Sequence, residues 1–220
     1  MSDTFGISAP GPIDTLYQQL AEETLRIRQQ WEHYQTLFRE GRKRRELLAE
    51  RTGSFFQVLQ DVYLDDTILS LVRITEDSNV AGHDTVVVKR LRDAVAEDGR
   101  GELAEDLSSR LEEIDDLRFA LEERRKKLIA HRDKEALEGD YELPPLSLDQ
   151  IEEALTHVEN FLNTVCSEYD DSEVAYSSLV EISGADALVA ALKQAVDYED
   201  ALQEGVISRE RFRDSRYYEA

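Results

Sequence analysis

Apolar residues recur three and four positions apart along most of this chain, the period of one helix face. Leu16, Leu20, Ile27, Trp31, Tyr34 and Phe38 predict a first helix, with Thr24 at its one polar step and Asp14 as its N-cap. Gly41 ends or kinks it. Thr52, Gly53 and Ser54 predict a clearer break, with Ser54 capping a stretch from Phe55 to Ile74 that is apolar on more than one face, as in the middle of a bundle. A loop occupies 75–84. Asp84 then caps a helix through Glu97, stopped by Gly99 and Gly101. The run TVVVKRL (85–91) has strand propensity, but no partner strand is evident, so helix is the better fit.

A long helix follows from Glu102 to about Leu137, with Leu111, Ile114, Leu117, Leu121 and Leu128 on its stripe and Pro144 and Pro145 barring its continuation. Ser147 and Gln150 make a capping box for a helix that buries Ile151, Leu155, Val158, Leu162, Val165 and Tyr169. Residues 170–173 read as a bend. Ser183 and Asp186 then cap a last helix, with Leu188, Leu192, Ala195, Tyr198 and Leu202 facing inward. The product is all-α, an elongated bundle of five to seven helices. Residues 1–13 read as a disordered lead-in, 14–204 as one helical domain, and 205–220 as a charged C-terminal tail.

Charge narrows the partners. A formal net charge of −22 argues against general binding to nucleic acid or membrane surfaces, yet leaves room for a local basic pocket. One cysteine, Cys166, makes no internal disulfide and fits a reducing compartment. The opening MSDTFGISAPGP lacks the basic start and apolar run of a secretory signal, and no stretch has the length of a membrane span. The expected location is the cytoplasm.

Most candidate chemistry falls away. His33, His83, His131 and His157 are far apart, and none has a second His or Cys at ligand spacing, so no metal is expected. No P-loop, dinucleotide-binding glycine pattern or serine nucleophile elbow is present, and no cofactor is expected. Cys166 beside Val165 reads as a packed thiol, His157 as a surface residue, His33 as part of an aromatic core stripe and His83 as a loop residue.

One stretch remains: RRKKLIAHRDK, residues 124–134. Leu121, Arg124, Leu128 and His131 step by three, four and three, so a cation and an imidazole occupy a stripe otherwise apolar. Six basic residues (Arg124, Arg125, Lys126, Lys127, Arg132 and Lys134) crowd around His131 in an otherwise acidic chain. Complementing the helix macrodipole explains the lysines but not the polar residues on the stripe.

An arginine followed four to six residues later by histidine, near the end of a long helix in an all-α bundle, resembles the motif of the HEPN superfamily. The fuller RKKLIAHRDK is similar to its abortive-infection, AbiU-like branch, whose motif reads approximately Arg-Asn-Lys-x-Ile-Ala-His-Arg-Asp. LDDTILSLVRITEDS (64–78) resembles that branch's Leu-rich helix ending in an Arg-x-Thr-Asp loop, and PPLSLDQIEEAL fits downstream, so the likeness spans roughly 15–200. The resemblance implies a HEPN-like domain with His131 as the motif histidine and Arg125 as the motif arginine. Helix geometry instead favours Arg124, because seven regular residues bring it nearly over His131 while six leave Arg125 about 120° away. Both therefore stand as candidates. Lys126 occupies the position where the branch carries Asn, Asp or His.

The resemblance further implies a homodimer with one composite site, and RNA cleavage without metal through 2′-hydroxyl attack on the adjacent phosphate. Histidine exchanges protons near neutral pH, and arginine binds the charge that develops on phosphorus. Lys126, Lys127, Arg132 and Lys134 would hold the RNA backbone. An antitoxin or neighbouring-gene protein is the other implied partner. The alternative is a non-catalytic HEPN module binding a partner protein or nucleotide, for which Lys126 and the acidic surface speak.

Overall fold

The computed structural model describes residues 5–39, 41–77, 79–80, 83–130, 144–179 and 184–207. Six α-helices lie among them: α1 Gly11–Tyr34, α2 Arg42–Thr75, α3 Val88–Glu97, α4 Gly101–Arg124, α5 Leu148–Asp170 and α6 Ala185–Gln203. π turns follow α1 (Gln35–Arg39) and α4 (Arg125–Ala130), and a 3-10 turn covers Tyr176–Leu179. The fold is all-α. Its only extended pairing among the described residues is a two-residue antiparallel ladder, Asn79–Val80 with His83–Asp84, inside the expected loop.

The chain divides into two compact units, Met1–Glu32 with Asp61–Val180, and His33–Gln60 with Glu181–Ala220. In the first, α4 packs against both α3 and α5. The core draws Leu20, Ile27 and Trp31 from α1, Ile68, Leu71 and Val72 from α2, Leu91 and Val95 from α3, Leu107 and Ile114 from α4, and Leu155, Val158 and Leu162 from α5. Thr67 and Thr75 are buried on α2, where their hydroxyls donate to the carbonyls of Tyr63 and Leu71, each at 2.7 Å, and so need no water. In the second unit α6 packs on the first π turn, which buries Leu37 and Phe38, and the Tyr34 and Phe38 rings lie 5.5 Å apart.

Several expectations hold. Ser147 and Gln150 form the capping box, with reciprocal hydrogen bonds of 3.1 and 2.9 Å. The predicted face of α5 is buried from Ile151 to Val165, and the bend after Asp170 is made by Asp171 in the left-handed conformation. Gly41 and Gly99 take φ of 72° and 83° at their helix stops, a conformation that a side chain would strain. Cys166 is buried, its Sγ 3.3 Å from the Ser172 hydroxyl.

Other expectations are corrected. Helix α1 begins at Gly11, and Asp14 is not its cap: Oδ1 accepts instead from the Ile7 backbone N–H at 2.9 Å. Within the segment 1–13 expected as a lead-in, Phe5, Ile7 and Ile13 are buried and the Ser8 N–H donates to the Asp170 carboxylate at 3.1 Å, while residues 1–4 lie outside the described residues. Thr52, Gly53 and Ser54 sit inside α2, because one glycine costs a long helix less than breaking it. The stretch from Phe55 is central only in its second half: Phe55, Val58 and Val62 are exposed. Helix α3 starts at Val88 with Val87 extended at its N-cap, since the β-branched run resists helical χ1. On α6 the buried residues are Ala185 and Val189, one position off the expected stripe at Leu188, and Gly184 rather than Asp186 precedes it. Ser183, the helix end expected up to Leu137 and the tail from 208 lie outside the described residues.

Candidate functional site

Arg124 is the last residue of α4, and Arg125 opens the π turn that carries Lys126 and Lys127. Among the sequence-predicted site residues, His131, Arg132 and Lys134 lie outside the described residues. A π turn bonds i to i+5 and takes about one more residue per turn than an α-helix, and such turns are frequent at functional sites. The regular seven-residue reckoning that favoured Arg124 therefore ends at Arg125 and selects neither arginine.

What the geometry adds is a set of carboxylates. Arg125 lies between two of them, its NH1 3.6 Å from Glu76 Oε2 and its NH2 4.0 Å from Glu122 Oε1. Glu76 immediately follows α2, so this pairing ties the end of α2 to the end of α4. Lys126 Nζ is 2.8 Å from Glu122 Oε1, and Arg118 NH2 is 3.7 Å from the other oxygen of the same carboxylate. The hydrogen bond from Lys126 is the main reason that the Glu122 carboxyl is held below the usual carboxylate range, with Arg118 and Arg125 adding to the pull. The charge of Arg124 is felt by a different carboxylate, Asp65. Burial pushes the Asp65 carboxyl up, while the Arg124 charge draws it down and Asp61 adds to the rise.

A second cluster adjoins the first. Lys89 Nζ stands 3.2 Å from both Asp77 and Asp115, and Arg118 NH1 is 3.6 Å from Asp115 and 3.9 Å from Asp77. The hydrogen bond from Lys89 holds Asp77 below the ordinary range. The run 124–127 is thus a basic patch paired with carboxylates from just after α2 and from α4 itself. Such a patch can present oriented guanidinium groups to a phosphate, and its charge is partly neutralised beforehand.

Sequence reasoning missed these carboxylates. Glu122 was findable, since an acid four residues before a lysine is the favourable helix order. Asp65 and Glu76 were not, because only the fold brings them near. Arg28 was also missed. It is only 4% exposed, on the α1 stripe between Ile27 and Trp31. Its Nε and NH2 donate to the two oxygens of Glu159 at 2.6 and 2.9 Å, and its NH1 donates to Glu152 at 2.6 Å. Trp31 Nε1 donates to the other Glu152 oxygen. Desolvation pushes the Glu159 carboxyl above its ordinary range against the pull of Arg28. No group of three or more His, Cys, Asp or Glu among the described residues is arranged to hold a metal ion.

Comparison with known families matches the HEPN AbiU2 model over residues 11–189, well over half the chain. The chain belongs to the AbiU2 family of HEPN proteins. The match takes in the basic run, the 64–78 segment and the capped α5, the same three pieces that carried the resemblance. As an AbiU2 protein the chain is a HEPN module of an abortive-infection family. No curated protein and no solved structure matches it. No helix among the described residues is long and apolar enough to cross a membrane.

Proposed function

We propose that this AbiU2 protein is a metal-independent endoribonuclease of the abortive-infection or toxin type, acting in the cytoplasm as a homodimer with a composite site. The observation that carries the reading is the family match over 11–189, which encloses Arg124, Arg125 and His131. In this reading His131 moves the proton of the attacking 2′-hydroxyl or of the leaving oxygen, and the motif arginine stabilises the phosphorane. Lys127, Arg132 and Lys134 supply backbone contacts. An antitoxin or neighbouring-gene product would hold the activity in check. Expression should arrest growth, and His131→Ala should abolish both the arrest and the release of 2′,3′-cyclic phosphate ends from RNA. Cleavage should survive a chelator. Equal toxicity of the His131→Ala chain, or loss of cleavage with the chelator, refutes it.

The pairing of Arg125 and Lys126 with Glu76 and Glu122 supports a second reading, a non-catalytic HEPN module that binds a partner protein or nucleotide. A purified dimer that cleaves no cellular RNA but binds the product of an adjacent gene would select it.

A further inference from the structure

We infer that Glu76 and Glu122 are positioning residues for Arg125, fixing the direction of its guanidinium from two different elements. The inference rests on the ribonuclease reading only for its catalytic consequence. Arg125 has a flexible side chain on the first residue of a π turn. Its two terminal nitrogens are drawn apart: NH1 to Glu76 at 3.6 Å, NH2 to Glu122 at 4.0 Å. Neither approach is short enough for a hydrogen bond, but a carboxylate off each prong favours one direction of the planar fork. Glu76 is the more enclosed of the two, its side chain 15% exposed, so the contact from beyond α2 is the less screened one.

Glu122 does a second thing. Its Oε1 takes the Lys126 ammonium at 2.8 Å, which turns the neighbouring cation back along α4. Lys126 is 47% exposed, so that restraint is loose. Both carboxylates stand beside the basic run that takes the RNA backbone in the ribonuclease reading. Removing one should therefore strengthen RNA binding while it weakens orientation, and those two effects separate in KM and kcat.

The test uses the full chain with Glu76→Gln and Glu122→Gln, isosteric changes that keep the amide in the carboxylate's place. The first readout is the side-chain NMR signal of Arg125, assigned with Arg125→Lys. Rotation about its Nε–Cζ bond should be slow in the parent chain and several-fold faster in Glu76→Gln. The second is RNA cleavage, where kcat should fall about 10- to 100-fold with KM unchanged or lower. Glu76→Asp should recover part of the loss. An Arg125 signal that rotates as freely as an exposed arginine, and is indifferent to both substitutions, overturns the inference whatever the cleavage assay gives. A restrained Arg125 in a chain that cleaves nothing upholds the positioning and rejects the ribonuclease reading instead. Equal falls in kcat and stability, with KM raised, would mark a merely structural role and also overturn it.

Discussion

Replacing Arg28 by Met tests the buried ion network between α1 and α5. The guanidinium is 4% exposed and makes three hydrogen bonds to carboxylates, two of them to a Glu159 whose side chain is only 14% exposed, with Glu32 a further contact at 3.6 Å. Met keeps much of the volume and removes the charge. Breaking a buried pair by deleting one partner costs about 3–5 kcal/mol, because the remaining ion stays desolvated. Glu152 is 35% exposed and recovers water, so it adds little. The expected loss is about 3 kcal/mol, or roughly 6–12 °C in Tm for a chain of this size. Trp31 is the chain's one tryptophan, fully buried beside Glu152, so its fluorescence in a urea titration reports the network directly.

The sign of the pH dependence follows from Glu159. Its folded carboxyl already lies above the unfolded value through desolvation, so the folded state holds the proton more readily. Its contribution to stability is most favourable below the unfolded carboxylate range and declines as pH rises through the raised folded value. Without Arg28 the desolvation is unopposed and that window moves further up. Arg28→Met should therefore lose more stability at pH 7.5 than at pH 5, and adding Glu159→Gln should restore over half of the loss at the higher pH. A cost under about 1 kcal/mol that does not vary with pH would refute the reasoning, since it would mean the pair is solvated.

Gly53→Ala should stabilise the chain by about 0.5–1 kcal/mol in thermal melts, because Gly53 lies within α2 and a methyl group there meets nothing within 4 Å. Ser147→Ala should cost about 1 kcal/mol in the same assay by removing the α5 capping box. The buried Cys166 thiol should react with an aromatic disulfide only in denaturant; fast labelling of the native chain would contradict its burial.

Local chemistry explains what the sequence made legible. The α5 face as far as Val165, its capping box and the stops at Gly41 and Gly99 depend on residues within a few positions of each other, and each appears as expected. Long-range partners were invisible. Nothing in GISAPGP signals that Ser8 will meet Asp170, 162 positions away, or that Phe5 will stack on Tyr176 with ring centroids 6.4 Å apart. The two carboxylates that hydrogen-bond Arg28, Glu152 and Glu159, come from α5, more than 120 positions along the chain. On α6 the stripe slipped by one because Ala185 and Val189 carry too little apolar area to outweigh the leucines in a pattern count. At the candidate site the basic run was legible as a cluster, while Glu76, which pairs with Arg125, arrives from just beyond α2.

The π turn at 125–130 separates two ways of measuring the motif. A family motif counts residues, and a catalytic geometry counts degrees around an axis. In a regular helix these convert at a fixed rate, but a π turn spends about one residue without the usual gain in angle. Six positions crossing such a turn cover about the rotation of five regular ones. A variable arginine-to-histidine spacing can thus be a constant geometry written at different lengths. A one-residue insertion or deletion within 125–130 is then a change the π turn can absorb locally, where a helix without it would have to transmit the change to everything after it.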